Sequence, residues 1–288
     1  MAPPMKAMIL AAGLGTRLKP LTDTRPKALV ELSGRTLLEI TLSRLRTFGI
    51  DEVIVNLHHF ADMVIDYLKA NKNFGMRIEV SREEVLLDTG GGLKKAAWFF
   101  LEDSAHRDSS RSDSTQPKSS PMDEPFLLHN VDVISTIDFA RMLQFHTENH
   151  SLATLAVQSR ESSRLLLFND HLQLCGRRID NKDTLIPPPH HALIPSPQNS
   201  VISSEARNLS FPLHPLAFSG IHILSPRLLP MLTEQGVFSI IPSYLRLAAQ
   251  DEKILAFPAD QYYWRDLGRP ADLIQAALDL ETGLRAKG

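Results

Sequence analysis

The chain has 288 residues, of which 43% are hydrophobic and 22% charged, with a formal net charge of −2. Those values belong to a globular protein with a sizeable core; they exclude a disordered chain and give no support to a general nucleic-acid or anionic-membrane surface. Cys175 is the only cysteine, which excludes an intrachain disulfide, and the apolar run at 7–12 is too short for a signal-peptide core or a membrane span, so the cytoplasm is the expected compartment.

In chain order, 7–12 reads as a buried parallel strand ending at Gly13, with Met5 as the candidate natural start. Positions 36–48 put Leu38, Thr41, Leu42, Leu45 and Phe48 on one helical face, and Gly49 is a natural terminator. A strand is expected over 53–57, a helix over 61–70 with Met63, Val64, Tyr67 and Leu68 inward, and a short strand over 77–80. Gly90, Gly91 and Gly92 precede a helix over 93–101. A buried strand over 125–129 leads to a helix over 139–147 with Asp138 as its cap.

Strands over 152–158, 164–168 and 172–175 follow, the last two joined as a hairpin at Asn169-Asp170. A strand over 217–224, a helix over 238–249 despite Pro242, a strand over 253–257 and a helix from Pro270 through 285 complete the series. The alternation predicts an α/β fold: a Rossmann-like, mostly parallel mixed sheet flanked by helices, with an antiparallel extension, in a single domain over 1–288. Two stretches read as mobile insertions. One is the polar, serine-rich 104–124; the other is 184–215, which holds seven of the 19 prolines. No internal repeat is present, and no hexapeptide repeat follows.

Residues 10–29, LAAGLGTRLKPLTDTRPKAL, are the most informative stretch. Gly13 and Gly15 let the backbone approach an anion closely, and successive N–H groups can form a nest for it. Arg17 offers a planar fork and Lys27, behind Pro26, a compact point charge. Two cations around a bare loop suit a polyphosphate whose charge grows during reaction. Leu18 stands where a dinucleotide fingerprint needs its third glycine, and the P-loop string is absent.

Asp132 follows an apolar strand, where active sites of open α/β sheets gather. Asp266 lies in the turn Trp264-Arg265-Asp266-Leu267-Gly268. Magnesium favours such hard oxygen ligands, although spacing alone does not bring the two aspartates together. Asp88-Thr89-Gly90-Gly91-Gly92 opens a helix with N–H groups available to a base or sugar. His58, His59 and His129 read as packed or hydrogen-bonded groups, and Cys175 as a small buried hydrophobe. Arg164, Arg177, Arg178 and Lys182 are candidate contacts to a phosphate group.

The string G-x-G-T-R-x-x-P-L-T…P-K, then the strand-end Asp132, then W-x-D-x-G, resembles the signature of the sugar-1-phosphate nucleotidyltransferases. The resemblance runs over almost the whole chain apart from the two insertions. It implies a GT-A-like fold and transfer of a nucleotidyl group from a nucleoside triphosphate to a sugar 1-phosphate, releasing pyrophosphate. It further implies Mg²⁺ on Asp132 and Asp266, with Arg17 and Lys27 as catalytic cations. The nucleotide would meet Leu10, Ala11, Ala12, Gly13, Leu14, Gly15, Thr16 and Arg17, with Asp88, Gly90 and Gly91 beside it, and the sugar would meet Asn130, Ser219 and Gly220.

The chain is similar to uridylyl- and guanylyl-type members, so UTP or GTP is expected, in a monomer or homo-oligomer with no nucleic-acid or membrane partner. Val131 departs from the glycine that many relatives carry. A β-branched residue disfavours positive φ, so this turn should stay extended with Asp132 still facing the cleft. A GT-A glycosyltransferase and a non-catalytic nucleotide-sugar sensor are the rival readings. The Arg17–Lys27 pair weighs against the first, and the presence of Asp132, Asp266 and Lys27 together weighs against the second.

Overall fold

A computed structural model describes residues 5–101, 124–186 and 212–282. β1 (Ala7–Leu10) is followed by a short hairpin of β2 (Glu31–Leu32) and β3 (Arg35–Thr36), then α1 (Leu37–Arg46), β4 (Glu52–Leu57), α2 (Ala61–Ala70), β5 (Arg77–Arg82), α3 (Asp88–Lys95) and α4 (Trp98–Leu101). Next come β6 (Phe126–Asn130), β7 (Val133–Ser135), α5 (Phe139–Glu148), β8 (Ala153–Gln158), β9 (Arg164–Phe168), β10 (Leu174–Ile179) and β11 (Lys182–Leu185). The last elements are β12 (His214–Leu224), α6 (Leu228–Met231), α7 (Ile240–Ala248), β13 (Ile254–Pro258), β14 (Trp264–Asp266) and α8 (Pro270–Glu281).

Ten strands form one sheet in the order β11-β10-β9-β12-β6-β1-β4-β5, with β8 on β12 and β13 beyond it. β6, β1, β4 and β5 are parallel. β12 runs antiparallel to β6, β8 and β9, and β9, β10 and β11 form an antiparallel ribbon. This is the mixed sheet with an antiparallel extension that the sequence predicts.

Period-two alternation explains how the sheet acquires two covered faces. Ala7, Ile9, Val53 and Val55 face one buried cluster, while Met8 and Ile54 face the other. Helices α1 and α5 bring Leu38, Leu42, Phe139 and Met142 to the first. Leu93, Phe99, Tyr244 and Leu247 serve the second. Each such large side chain contributes about 2 kcal/mol by leaving water, so the carboxyl ends of β1 and β6 are held between two packed layers. Thr36 caps α1 by accepting the Glu39 N–H, and Gly49 takes φ +72 just past its end.

Several expectations are corrected. Met63 faces solvent at 41% exposure, because the 3.6-residue period of α2 runs through Ala61, Val64 and Leu68. The helix expected at 93–101 is two helices, and the first begins at Asp88, so the glycine triplet lies inside it. The two-residue hairpin at Asn169-Asp170 is a longer turn. There the Asn169 side chain accepts N–H bonds from His171 and Gln173 and Leu172 takes φ +60, so β10 starts only at Leu174. Pro242 lies in the first turn of α7, where its missing N–H has no intrahelical role, and Ser239 supplies the cap.

The second expected insertion is narrower than 184–215. Its ends are strand, with Leu185 paired to Gly176 and His214 to Phe168. Residues 104–123 and 187–211, and the end of the helix expected to reach 285, lie outside the described residues. Among the described residues no helix is long and apolar enough to cross a membrane.

Candidate active site

Leu10 and Asn130 are register partners at the adjacent carboxyl ends of β1 and β6. A cleft of about 330 Å³ opens there, and of the expected residues Leu10, Ala11, Ala12, Gly13, Lys27, Asp88, Asn130 and Asp132 line it. Its floor is set by a buried network absent from the sequence reading. The Ala11 N–H donates to Asn56 Oδ1 (2.7 Å), and Asn56 Nδ2 donates to Glu83 Oε1 (2.7 Å). Glu83 Oε2 in turn accepts the Leu87 N–H (2.9 Å). Asn56 had a readable signal, a polar residue inside the apolar run Val53-Ile54-Val55-Asn56-Leu57. Glu83, one of two successive glutamates, had none.

Antiparallel pairing of β7 with β14 sets Asp266 opposite Val133, and the Leu267 N–H donates to the Asp132 carbonyl (2.7 Å). The two aspartates distant in sequence therefore share one locality. Lys27 forms an ion pair with Asp132, their side chains only 11% and 13% exposed. Burial pushes the Asp266 carboxyl above the ordinary carboxylate range, and the nearby Asp132 charge adds to this; Lys27, the Gly268 N–H and Arg17 act in the opposite direction. Two crowded carboxylates form a hard-oxygen donor set that fits a magnesium ion taking its remaining ligands from phosphates and water. Among the described residues no cluster of three or more His, Cys, Asp or Glu offers an alternative metal centre.

The glycine loop arches beside this pair. Gly15 sits at φ +65, and a Cβ there would lie 2.9 Å from Thr22 Cγ2 and 3.3 Å from Lys27 Cβ, so its bareness lets the loop rest on the lysine stem. The Thr22 hydroxyl donates to the Gly15 carbonyl (2.8 Å), and buried Leu18 anchors the far end. Leu14, Gly15 and Thr16 form the outer arc and line neither cleft. Arg17 reaches past them to lie 3.9 Å from Asp266 Oδ1.

A second cleft of about 670 Å³ shares Asn130 with the first and is lined by Arg17, Arg160, Ser219, Gly220, Trp264 and Asp266 among others. Ser219 and Gly220 occupy an irregularity in β12, where its register with β8 shifts between Phe218 and His222. The Trp264 indole N–H donates to the Ser219 carbonyl (2.7 Å) and fixes that wall.

Gly90 and Gly91 line neither cleft. Their N–H groups, expected to be available to a ligand, both donate to the Phe238 carbonyl (2.9 and 3.2 Å). A Cβ on Gly90 would lie 2.3 Å from Phe238 Cε2 and one on Gly91 2.6 Å from the Gly236 carbonyl oxygen, so the bare backbone admits the protein's own 236–238 segment. Asp88, at φ +60, still borders the first cleft, and Thr89 accepts the Ile240 N–H (3.0 Å).

Arg164, Arg177, Arg178 and Lys182 lie on the β9–β11 ribbon and line neither cleft; Arg178 pairs with Asp183. His58 bonds the Glu83 carbonyl oxygen and His129 the Asn130 carbonyl oxygen, and burial holds His129 down to about 4. Val131 stays out of the positive-φ region. Cys175 is only partly buried; its thiol donates to the Gln173 carbonyl, and burial raises its pKa.

With this geometry in view, comparisons with known proteins point one way. A match to N-acetylmuramate alpha-1-phosphate uridylyltransferase of Caulobacter vibrioides is 50% identical over 96 residues, 32% of this chain and 40% of that protein. A match to mannose-1-phosphate guanyltransferase of Yarrowia lipolytica is 26% identical over 277 residues, 94% of this chain and 62% of that protein. The chain thus spans about three fifths of the guanyltransferase's length. HddC from Yersinia pseudotuberculosis, solved in complex with GMP-PN, shares the fold at a TM-score of 0.63 and 19% identity, over 96% of this chain and 99% of that one. The nucleotidyl transferase family profile matches residues 6–165, a span holding the glycine loop, Lys27 and Asp132, and the chain belongs to that family.

Proposed function

We propose that this protein transfers a nucleotidyl group from a nucleoside triphosphate, UTP or GTP, to a sugar 1-phosphate, forming a nucleoside-diphosphate sugar and pyrophosphate. The observation that carries the reading is the meeting of Lys27, Asp132 and Asp266 where a cleft on each side shares Asn130. In this reading the base lies over Leu10, Ala11 and Ala12, and the triphosphate follows the loop from Gly13 to Arg17. The acceptor lies over Asn130, Ser219 and Gly220 in the second cleft.

An acceptor phosphate oxygen attacks the α-phosphorus in line. A new P–O bond forms while the bond to the bridging oxygen breaks, and pyrophosphate leaves with that electron pair. Both reactants are anions, so alignment and charge compensation carry the catalysis. Lys27 stabilises charge at the α-phosphate, and Arg17 does so from the Asp266 side. Asp132 and Asp266 would hold Mg²⁺, which when bound supplies positive charge to the phosphate oxygens. In this reading the protein works in the cytoplasm, in keeping with its single cysteine.

The test is pyrophosphate release from four nucleoside triphosphates crossed with a panel of sugar 1-phosphates, with Mg²⁺ and with EDTA. A metal-dependent signal for one pair is expected. Silence across the panel, from folded protein that still binds nucleotide, overturns the reading in favour of a sensor. Release of nucleoside diphosphate from a nucleotide sugar overturns it in favour of glycosyl transfer.

A further inference from the structure

Arg160 is a half-buried cation of the second cleft that makes no ion pair among the described residues. Gln158 at the end of β8 donates to the carbonyls of Ala259 and Tyr262 (2.9 and 3.0 Å), and the Ser159 N–H donates to Asp260 (2.6 Å), so the residue before Arg160 is held on both sides. Its guanidinium carbon stands 3.9 Å from the centroid of the Trp264 ring, and Nη2 donates to the Phe218 carbonyl (2.8 Å). Trp264 is itself tethered to Ser219, so the stack is built into the cleft wall. The buried Nε has no acceptor among the described residues. No carboxylate there pairs with this guanidinium, whereas Arg265 pairs with Asp279 and Arg17 approaches Asp266.

A desolvated cation without a partner is unfavourable unless an anion completes it. Stacking on the indole fixes the plane, which prepares a guanidinium for the oxygens of a phosphate. Burial lowers the Arg160 pKa and Asp266 raises it, consistent with a charged group turned toward the reaction seam. The arginines and lysine of the β9–β11 ribbon lie outside this cleft, so they do not substitute for it.

We infer that Arg160 binds the phosphate group of the acceptor and holds it for attack, an assignment that rests on the nucleotidyl-transfer reading. The residue is specific for the phosphate rather than for the sugar ring, so its removal weakens every phosphorylated acceptor alike.

Arg160→Gln and Arg160→Lys test this by steady-state kinetics, with Tm as the folding control. The Gln variant is expected to raise the acceptor KM about 10- to 100-fold across sugars, with the nucleotide KM moving less than about twofold, and the Lys variant to recover part of the loss. An unchanged acceptor KM, a rise in the nucleotide KM instead, or an effect confined to one sugar overturns the assignment. Binding of inorganic phosphate, followed by Trp264 emission in a Trp98→Phe background, separates the two levels. Arg160-dependent phosphate binding without any turnover rejects nucleotidyl transfer and with it the acceptor role, and leaves Arg160 as a phosphate-binding residue only. Turnover with an Arg160-independent acceptor KM keeps nucleotidyl transfer and rejects the assignment, and loss of both signals rejects both.

Discussion

Lys27 and Asp132, separated by 105 positions in the chain, are joined as an ion pair under the glycine loop, where both clefts meet. Each is the other's main charge compensation. Lys27→Met therefore removes the cation proposed to act at the α-phosphate and leaves Asp132 largely buried without its partner. Turnover is expected to fall at least about 100-fold, and the substrate-free protein to lose up to about 3 kcal/mol. Pyrophosphate release and denaturant titration check the two effects separately. Unchanged turnover would remove Lys27 from the mechanism.

Asp266 is held above the ordinary carboxylate range first by burial and then by Asp132, so its negative charge is unfavourable in the metal-free fold. Asp266→Asn removes that repulsion while keeping the shape. The metal-free variant is expected to melt at or above the wild-type Tm, while losing magnesium-stimulated turnover and magnesium-induced stabilisation. Thermal melts with and without Mg²⁺ test this. A variant that destabilises the metal-free protein and keeps its magnesium response would show that Asp266 is structural.

Asn56 joins the Ala11 backbone to Glu83 beneath the first cleft. Asn56→Leu leaves a buried N–H and a carboxylate oxygen without partners, with an expected loss of about 3 kcal/mol and a raised nucleotide KM. Asn56→Asp keeps the acceptor for Ala11 but sets it against Glu83. Its stability should improve as pH falls from 7 to 5, because one proton relieves the like-charge contact. Urea titrations at the two pH values decide.

Burial holds His146 down to about 4 and His222 to about 3, against an ordinary value of 6.5. Between 6.5 and those folded values the unfolded chain binds protons that the folded chain does not, so stability is full above pH 6.5 and falls as pH drops toward 4. At pH 5 each histidine should remove about 2 kcal/mol relative to pH 7. His146 bonds Thr154 away from both clefts. His146→Gln should flatten the acid slope without altering KM, which denaturation midpoints across pH 4.5–7.5 would show.

Legibility differed sharply between elements. Strands β1, β4 and β6 declared themselves because parallel strands covered on both faces read as unbroken apolar runs. α1 and α5 declared themselves through their 3.6-residue periodicity. β7 and β14, three residues each, carry no period to detect, yet their pairing is what brings Asp266 to Asp132. The glycine triplet was legible as bare backbone but not as to what approaches it, because Phe238 lies far along the chain. Arg160 was unreadable for the same reason: its stacking on Trp264 and its bond to the Phe218 carbonyl are made with neighbours contributed by β14 and β12.

By itself the sequence determined the layered α/β class, the bare, cation-bearing character of 10–29, and the residue types of the candidate site, Lys27, Asp132 and Asp266 among them. Those properties follow from local periodicity and from the intrinsic chemistry of side chains at short spacing. Only the tertiary structure decided which of these groups meet, that Lys27 rests on Asp132, that Gly90 and Gly91 serve internal packing, and that Arg160 stacks on Trp264 in the second cleft without an ion pair among the described residues. Such facts depend on strand pairing and burial between distant segments, and desolvation and Coulomb interaction are set by distances in space that no sequence spacing specifies.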